Sequence, residues 1–408
     1  MAKLYPFRAV RPTRDKAHLV ASRPVATYKS NILSAKLEEN PFTFIHIIHP
    51  EFFEDEDNKT SPNTPERFAK VRAKYEEFKA NGIFVQDESP AIYVYQQTKN
   101  NHAYLGVIAG ASVSEYNQNL IKKHEATITS REEMFTNYLD IVGINAEPVL
   151  LCHAFNEQID QLLQECIKER PEYEFTTTDK VKHELWVLDK EKTAAIVAAY
   201  DAIPCTYIAD GHHRSASSVK LAERLQNENA AYFLSFFIDE KKLNIFPFNR
   251  ICKTMNGMTL DSFLKKIEKD FSIAPLDKAE TPTQMHDIHV YCEKRWYKLS
   301  AKEHIISQST PTSDIDAELL TQHILAPHFA IVDLKTDENI SFLSGEKGIE
   351  NIEQKVDKGV YKIGFALHPV SMEQLMRVAD NNAIMPPKST WVEPKLRSGL
   401  TIYPIRND

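Results

Sequence analysis

A nearly continuous apolar run, Ala231-Tyr232-Phe233-Leu234-Ser235-Phe236-Phe237-Ile238, narrows the fold more than any other stretch of this sequence. A strand with one wet face alternates apolar and polar residues, whereas a run apolar at almost every step fits a central strand covered on both faces. The expected class is therefore α/β, with a mixed sheet and helices packed on it. At 408 residues the chain is too long for one ordinary core, so more than one domain is expected. With 42% hydrophobic and 26% charged residues it has ample material to fill them.

Periodicity and turn residues give the order of elements. Residues 41–50, PFTFIHIIHP, read as a buried strand between prolines, followed by an acidic loop from Glu51 to Asp57. Thr64-Pro65-Glu66 opens a helix, because proline is tolerated in the first turn and glutamate suits the dipole there. Phe68, Val71, Tyr75 and Phe78 form its apolar face, and Asn81-Gly82 ends it. Strands are expected near 91–97 and 103–110 around the turn Lys99-Asn100-Asn101, then a polar segment from Ser114 to Glu133. A strand near 148–153, a helix near 156–168, a strand near 183–188 and a helix near 190–200 lead to the strand 204–209. The helix after Arg214 has Val219, Leu221, Ala222 and Leu225 on its apolar side. A small α/β insertion is expected at about 256–310, and a strand at 361–367 and a helix at 371–380 close the pattern. The expected division is an N-terminal α/β domain over 1–112 and a second region over 113–408.

The net charge of −8 argues against general nucleic-acid binding, which needs a basic face. No stretch of 18 apolar residues predicts a membrane span, and the charged, proline-containing start MAKLYPFRAVRP does not read as a signal peptide. Cys152, Cys166, Cys205, Cys252 and Cys292 are widely spaced, which fits reduced thiols and a cytoplasmic location. There is no GxxxxGK[ST], GxGxxG, HRD/DFG or GxSxG motif, so P-loop, Rossmann, protein-kinase and α/β-hydrolase chemistry lack support. A homo-oligomer remains compatible with all of this.

The chemistry is concentrated in three segments. Asp210-Gly211-His212-His213-Arg214 lies between an expected strand and an expected helix. Helix N-terminal N–H groups face anions, and an arginine there grips a phosphate through two parallel hydrogen bonds. Gly211 permits a tight turn or close ligand approach. Asp210 is a candidate for holding Mg²⁺ or positioning a hydroxyl, the alternative being a plain helix cap. Neighbouring histidines such as His212 and His213 seldom face one zinc ion, and His46 and His49, three apart in an expected strand, would face opposite sides. Lys122-Lys123-His124-Glu125 sets two cations, an imidazole and a carboxylate in a row; a carboxylate is a usable general base, and a solvated loop is the alternative. Met385-Pro386-Pro387-Lys388-Ser389-Thr390 and Glu393-Pro394-Lys395-Leu396-Arg397 join proline-stiffened backbone to anion-binding donors, or form a stiff surface tail.

These segments, with Tyr5-Pro6-Phe7-Arg8-Ala9-Val10-Arg11-Pro12, resemble the bacterial domain-of-unknown-function 1015 family nearly end to end, a name that brings no activity. The order His124-Glu125, Asp210 to Arg214, Pro387-Lys388-Ser389-Thr390 is similar, more distantly, to the archaeal ADP-dependent free-serine kinases of the ParB–sulfiredoxin-like superfamily. That likeness covers roughly 110–408; the gap between the first two motifs is longer here, and Arg23 to Tyr28 stands where many relatives in the first family carry a PPYD-like segment. It implies a ParB/sulfiredoxin-like kinase core and phosphoryl transfer from ADP or ATP, with Mg²⁺, to a small hydroxylated metabolite, serine-like by analogy with those kinases. It implies Glu125 as base, with Asp210 and His212 catalytic. Lys122, Lys123, Gly211, His213 and Arg214 would hold nucleotide, and Lys388, Ser389, Thr390 and Arg397 the acceptor. The competing class is a nucleotide-binding regulator or sensor without turnover.

Overall fold

The computed structural model describes residues 2–54 and 59–406, so the expected acidic loop lies partly outside the described residues. The chain divides into two compact units, residues 1–243 with 394–408, and residues 244–393.

The first unit is built on an eight-stranded sheet. In chain order its strands are β1 (Tyr93–Lys99), β2 (His102–Ser112), β3 (Ile121–Lys122), β4 (Val149–His153), β5 (Tyr173–Thr176), β6 (Lys182–Val187), β7 (Thr206–Asp210) and β8 (Tyr232–Asp239). Across the sheet the order is β3-β7-β4-β8-β2-β1-β6-β5, so the apolar run does form a central strand. The sheet is mixed: β7 runs parallel to β3, β8 parallel to β4, and the other neighbours are antiparallel. The β1–β2 hairpin turns on Asn100 and Asn101, both left-handed with φ of 51° and 63°; asparagine accepts that conformation better than most residues.

Helices flank the sheet: α1 (Pro65–Ala80), α2 (Thr129–Val142), α3 (Glu157–Cys166), α4 (Lys190–Tyr200) and α5 (His212–Leu225). Thr64 caps α1 by accepting the Arg67 N–H, as its sequence implies. Ile159 and Leu163 of α3, Ile196 and Ala199 of α4 and Val219 of α5 pack with Val107, Leu151, Ile208 and Phe237 of the sheet. A second cluster joins Phe68, Val71, Tyr75 and Phe78 of α1 to Val142, at the end of α2.

In the first unit three expectations need correction. Residues 41–50 contain a short helix, Ile45–Ile48, and a 3₁₀ turn begins at Pro50, because a short apolar run reads alike in helix and strand. His46 there bonds the Asn40 carbonyl and His49 bonds Glu51. The polar segment 114–133 holds β3 and the start of α2, whose buried residues Thr136, Leu139 and Val142 repeat every three positions among charges. The boundary expected at 112 falls inside the sheet, since β2 ends at Ser112 and pairs with β8 along its length.

The second unit has its own seven-stranded sheet. Its strands are β9 (Asn244–Cys252), β10 (Phe271–Leu276), β11 (Asp287–Cys292), β12 (Arg295–Ala301), β13 (Ile340–Ser344), β14 (Ile363–Leu367) and β15 (Thr390–Glu393). The expected insertion at 256–310 is not a separate body, because β11 pairs with β14 and so continues the sheet past residue 310. Helices α6 (Leu260–Ile267) and α7 (Met372–Asp380) belong to this unit, and a Ser371/Gln374 capping box starts α7. No described helix is long and apolar enough to cross a membrane.

Phe237, 2% exposed, anchors the first core. Phe237→Ala is expected to cost about 3–5 kcal/mol by leaving a cavity. Urea unfolding of the variant checks this, and a loss below about 1 kcal/mol would show that the core does not rest on this strand.

Candidate functional site

The parallel pairing of β3 with β7 places Ile121 beside Thr206 and Lys122 beside Tyr207. Parallel neighbours end on the same side, so the residues after β3, Lys123-His124-Glu125, leave the sheet beside those after β7, Gly211 to Arg214. The carboxyl ends of strands are where open α/β sheets commonly place ligands. The register between β7 and β4 shifts between Ile208 and Asp210, which re-aims the end of the strand.

Gly211 turns the chain from β7 into α5 with φ 106° and ψ 26°. A side chain there would be strained, and its Cβ would stand 3.1 Å from the Arg214 guanidinium. No side chain caps α5, which leaves its first N–H groups without that partner.

Charges are paired around this turn. Arg214 Nη2 donates to Asp210 Oδ2 at 2.8 Å; Nη1 meets Glu147 Oε1 at 2.9 Å and donates to the Pro148 carbonyl at 2.5 Å. Lys395 Nζ approaches Asp210 Oδ1 at 3.4 Å. Burial pushes the Asp210 carboxyl up, but the Lys395 and Arg214 cations outweigh it and hold the carboxyl below its ordinary value. A carboxylate with a cation on each oxygen is a poor magnesium ligand as it stands.

Beside this network lie two buried imidazoles. His212 is 5% exposed and His124 is fully buried, with the rings edge to face and their centroids 4.5 Å apart. Burial pushes His212 down to about 3 despite the opposing pull of Asp210, and pushes His124 down to about 3 with help from His212. Both are neutral near pH 7. His212 Nε2 accepts a long 3.4 Å bond from the His124 backbone N–H, and its Nδ1 is 3.4 Å from Glu125 Oε2. Neither ring nitrogen of His124 has a hydrogen-bond partner among the described residues, nor has Nδ1 of half-buried His213. The Glu125 side chain is 46% exposed, so one carboxylate reaches both solvent and the histidine pair. Lys122 lies 5.9 Å over the Tyr207 ring and Lys123 lies 4.3 Å over Tyr116.

Glu125, Asp210, His212 and Arg214 thus share one end of the first unit's sheet, with Lys395 and Glu147 added. Arg397 is placed otherwise: it is 5% exposed and donates to Asp179 at 2.8 Å, to Thr177 at 3.3 Å and to His183 at 3.3 Å. Those bonds commit it to holding the fold. Lys388, Ser389 and Thr390 belong to the second unit. There Lys388 has φ 56° and lies 5.3 Å from the Phe248 ring centroid, while the Ser389 hydroxyl donates to the Pro386 carbonyl at 2.7 Å. Fully buried Arg250 donates to the Phe248 and Pro387 carbonyls, and its Nε has no hydrogen-bond partner among the described residues. A cavity of about 410 Å³ in the first unit is lined by Arg214, Glu147, Phe68, Tyr138 and Phe233, among others, but not by Glu125, Asp210 or His212.

No curated protein matches the chain. Among solved structures, a free serine kinase in complex with AMP matches with 12% identity and a TM-score of 0.37, covering 72% of this chain and 91% of that one. A free serine kinase mutant in complex with ADP matches with 13% identity and a TM-score of 0.37, covering 74% and 94%. SbnI with a C-terminal truncation, from Staphylococcus aureus, matches with 10% identity and a TM-score of 0.40, covering 74% and 90%. The family described as "Protein of unknown function (DUF1015)" matches residues 4–321, and the chain belongs to that family.

Proposed function

We propose that this protein transfers a phosphoryl group from ADP or ATP to the hydroxyl of a small metabolite at the carboxyl end of β3 and β7. The observation that carries the reading is the 3.4 Å approach of Glu125 Oε2 to His212 Nδ1. It sets a solvent-reaching carboxylate beside the first residue of an uncapped helix that also bears Arg214.

Binding and chemistry fall to different residues. The first N–H groups of α5 and the Arg214 guanidinium bind the nucleotide phosphates, with His213 in the same turn and Lys122 and Lys123 at the end of the neighbouring strand β3. Asp210 and Glu147 already neutralise Arg214, so a phosphate competes with them for its donors. Glu125 takes the proton from the acceptor hydroxyl. As that oxygen bonds to the terminal phosphorus, the bond from phosphorus to the bridging oxygen breaks, and the nucleotide leaves one phosphate shorter. Neutral His212 orients Glu125, and Arg214 stabilises charge on the transferring group. In the second unit, Lys388, Ser389 and Thr390 are assigned to holding an anionic group.

Addition of ADP or ATP is expected to raise the thermal midpoint, since a ligand selective for the native state stabilises it by about 2.7 kcal/mol at a hundred times its Kd. Arg214→Ala should lose most of that shift; an undiminished shift places the nucleotide elsewhere.

Glu125→Gln keeps size and most hydrogen bonding but cannot take a proton. Its turnover should fall by about 10²–10⁴ with nucleotide affinity nearly unchanged. Turnover at the wild-type rate would remove Glu125 as the base. Nucleotide binding by the wild type, with no product from any hydroxylated metabolite, would favour a sensor.

A further inference from the structure

We propose that His124, His212 and Glu125 form a binding site for one divalent first-row transition-metal ion. One ligand atom from each residue lies within 4.8 Å of the other two. Two imidazoles and one carboxylate are a donor set that suits zinc or iron(II), whereas magnesium prefers an all-oxygen shell.

The strongest support is His124. Its ring is fully buried, and neither nitrogen has a hydrogen-bond partner among the described residues. A buried polar atom without a partner carries a desolvation cost that folding normally avoids. An ion on one nitrogen relieves it.

The spacing is close to what ligation needs. Atoms about 2.1 Å from a tetrahedral ion lie about 3.4 Å apart, and His212 Nδ1 stands 3.4 Å from Glu125 Oε2 already. His124 closes the remaining distance by a small shift. The contact that gives way is the 3.4 Å bond from the His124 N–H to His212 Nε2, at the limit of hydrogen bonding. The His212 proton then moves to Nε2 and leaves Nδ1 to the ion. Both histidines form the floor, and Glu125, 46% exposed, forms the mouth. Three protein ligands leave a fourth position for a water or hydroxyl oxygen, the arrangement of reactive rather than structural sites.

Metal binding needs neither nucleotide nor turnover, so its test reads separately from the phosphotransferase reading, although the ion takes the same Glu125 carboxylate and His212 Nδ1 that the reading uses. The test uses the full chain stripped with a chelator and titrated with Co²⁺, whose visible absorption reports its coordination, followed by displacement with Zn²⁺. One equivalent of Co²⁺ per chain, with imidazole-type visible bands that Zn²⁺ abolishes, is the expected result. His124→Asn and Glu125→Gln should each weaken binding at least tenfold, and His18→Gln, an exposed histidine elsewhere, should change nothing. Because His124 is buried, Glu125→Gln provides the test in a residue whose replacement leaves the core alone. Absence of stoichiometric binding, or unchanged affinity in Glu125→Gln, overturns the proposal. Loss of binding in His18→Gln does so as well, since it marks a surface ion.

Discussion

Two rungs of parallel pairing, Ile121 beside Thr206 and Lys122 beside Tyr207, decide what can meet in the first unit. Had β3 lain antiparallel to β7, the residues after the two strands would leave the sheet at opposite ends. Parallel pairing sends His124-Glu125 and Asp210 to Arg214 out together. Two rungs alone are weak; the pairing is held because β7 is also bound to β4, and β4 to β8 at the centre of the sheet. The apolar layer of α3, α4 and α5 on that centre fixes β7 in turn. The site is therefore a consequence of burying Phe237 and its neighbours.

The electrostatics of this corner fall into two zones. Around the turn, Asp210 and Glu147 face Arg214, and Lys395 faces Asp210, so an anion arriving there meets cations already partly neutralised. Beneath Glu125, two imidazoles are kept uncharged by burial. Neutral imidazoles offer lone pairs as well as N–H donors, while protonated ones offer only donors. The same burial thus equips the corner to orient a carboxylate or to ligate an ion.

Much of the first unit is legible in the sequence because its elements carry strong local signals: the apolar run of β8, the Thr64-Pro65 start of α1, the Asn100-Asn101 turn. Helix α2 is not, because its buried stripe is thin and charged residues surround it. The short helix Ile45–Ile48 reads as a strand because apolar character without periodicity fits either geometry. The division at 112 fails for another reason: sheet order is set by pairing between distant strands, which composition does not record. At the site, Glu125 and Asp210 to Arg214 are visible as dense chemistry in bland surroundings. Lys395 sits in a segment rich in donors, but nothing local ties it to Asp210, and Glu147 carries no signal at all. Arg397 draws attention as a cation in the same segment, yet Asp179 and His183 lie far away in sequence and give it a structural partner.

The central claim is that nucleotide phosphates bind at the start of α5. Amide hydrogen exchange, followed with and without ADP, tests it directly, because first-turn N–H groups of a helix lack intrahelical partners and exchange readily until a ligand covers them. The account predicts slowed exchange at residues 212–214 when ADP is added. Protection elsewhere, with exchange at 212–214 unchanged under saturating ADP, would contradict it.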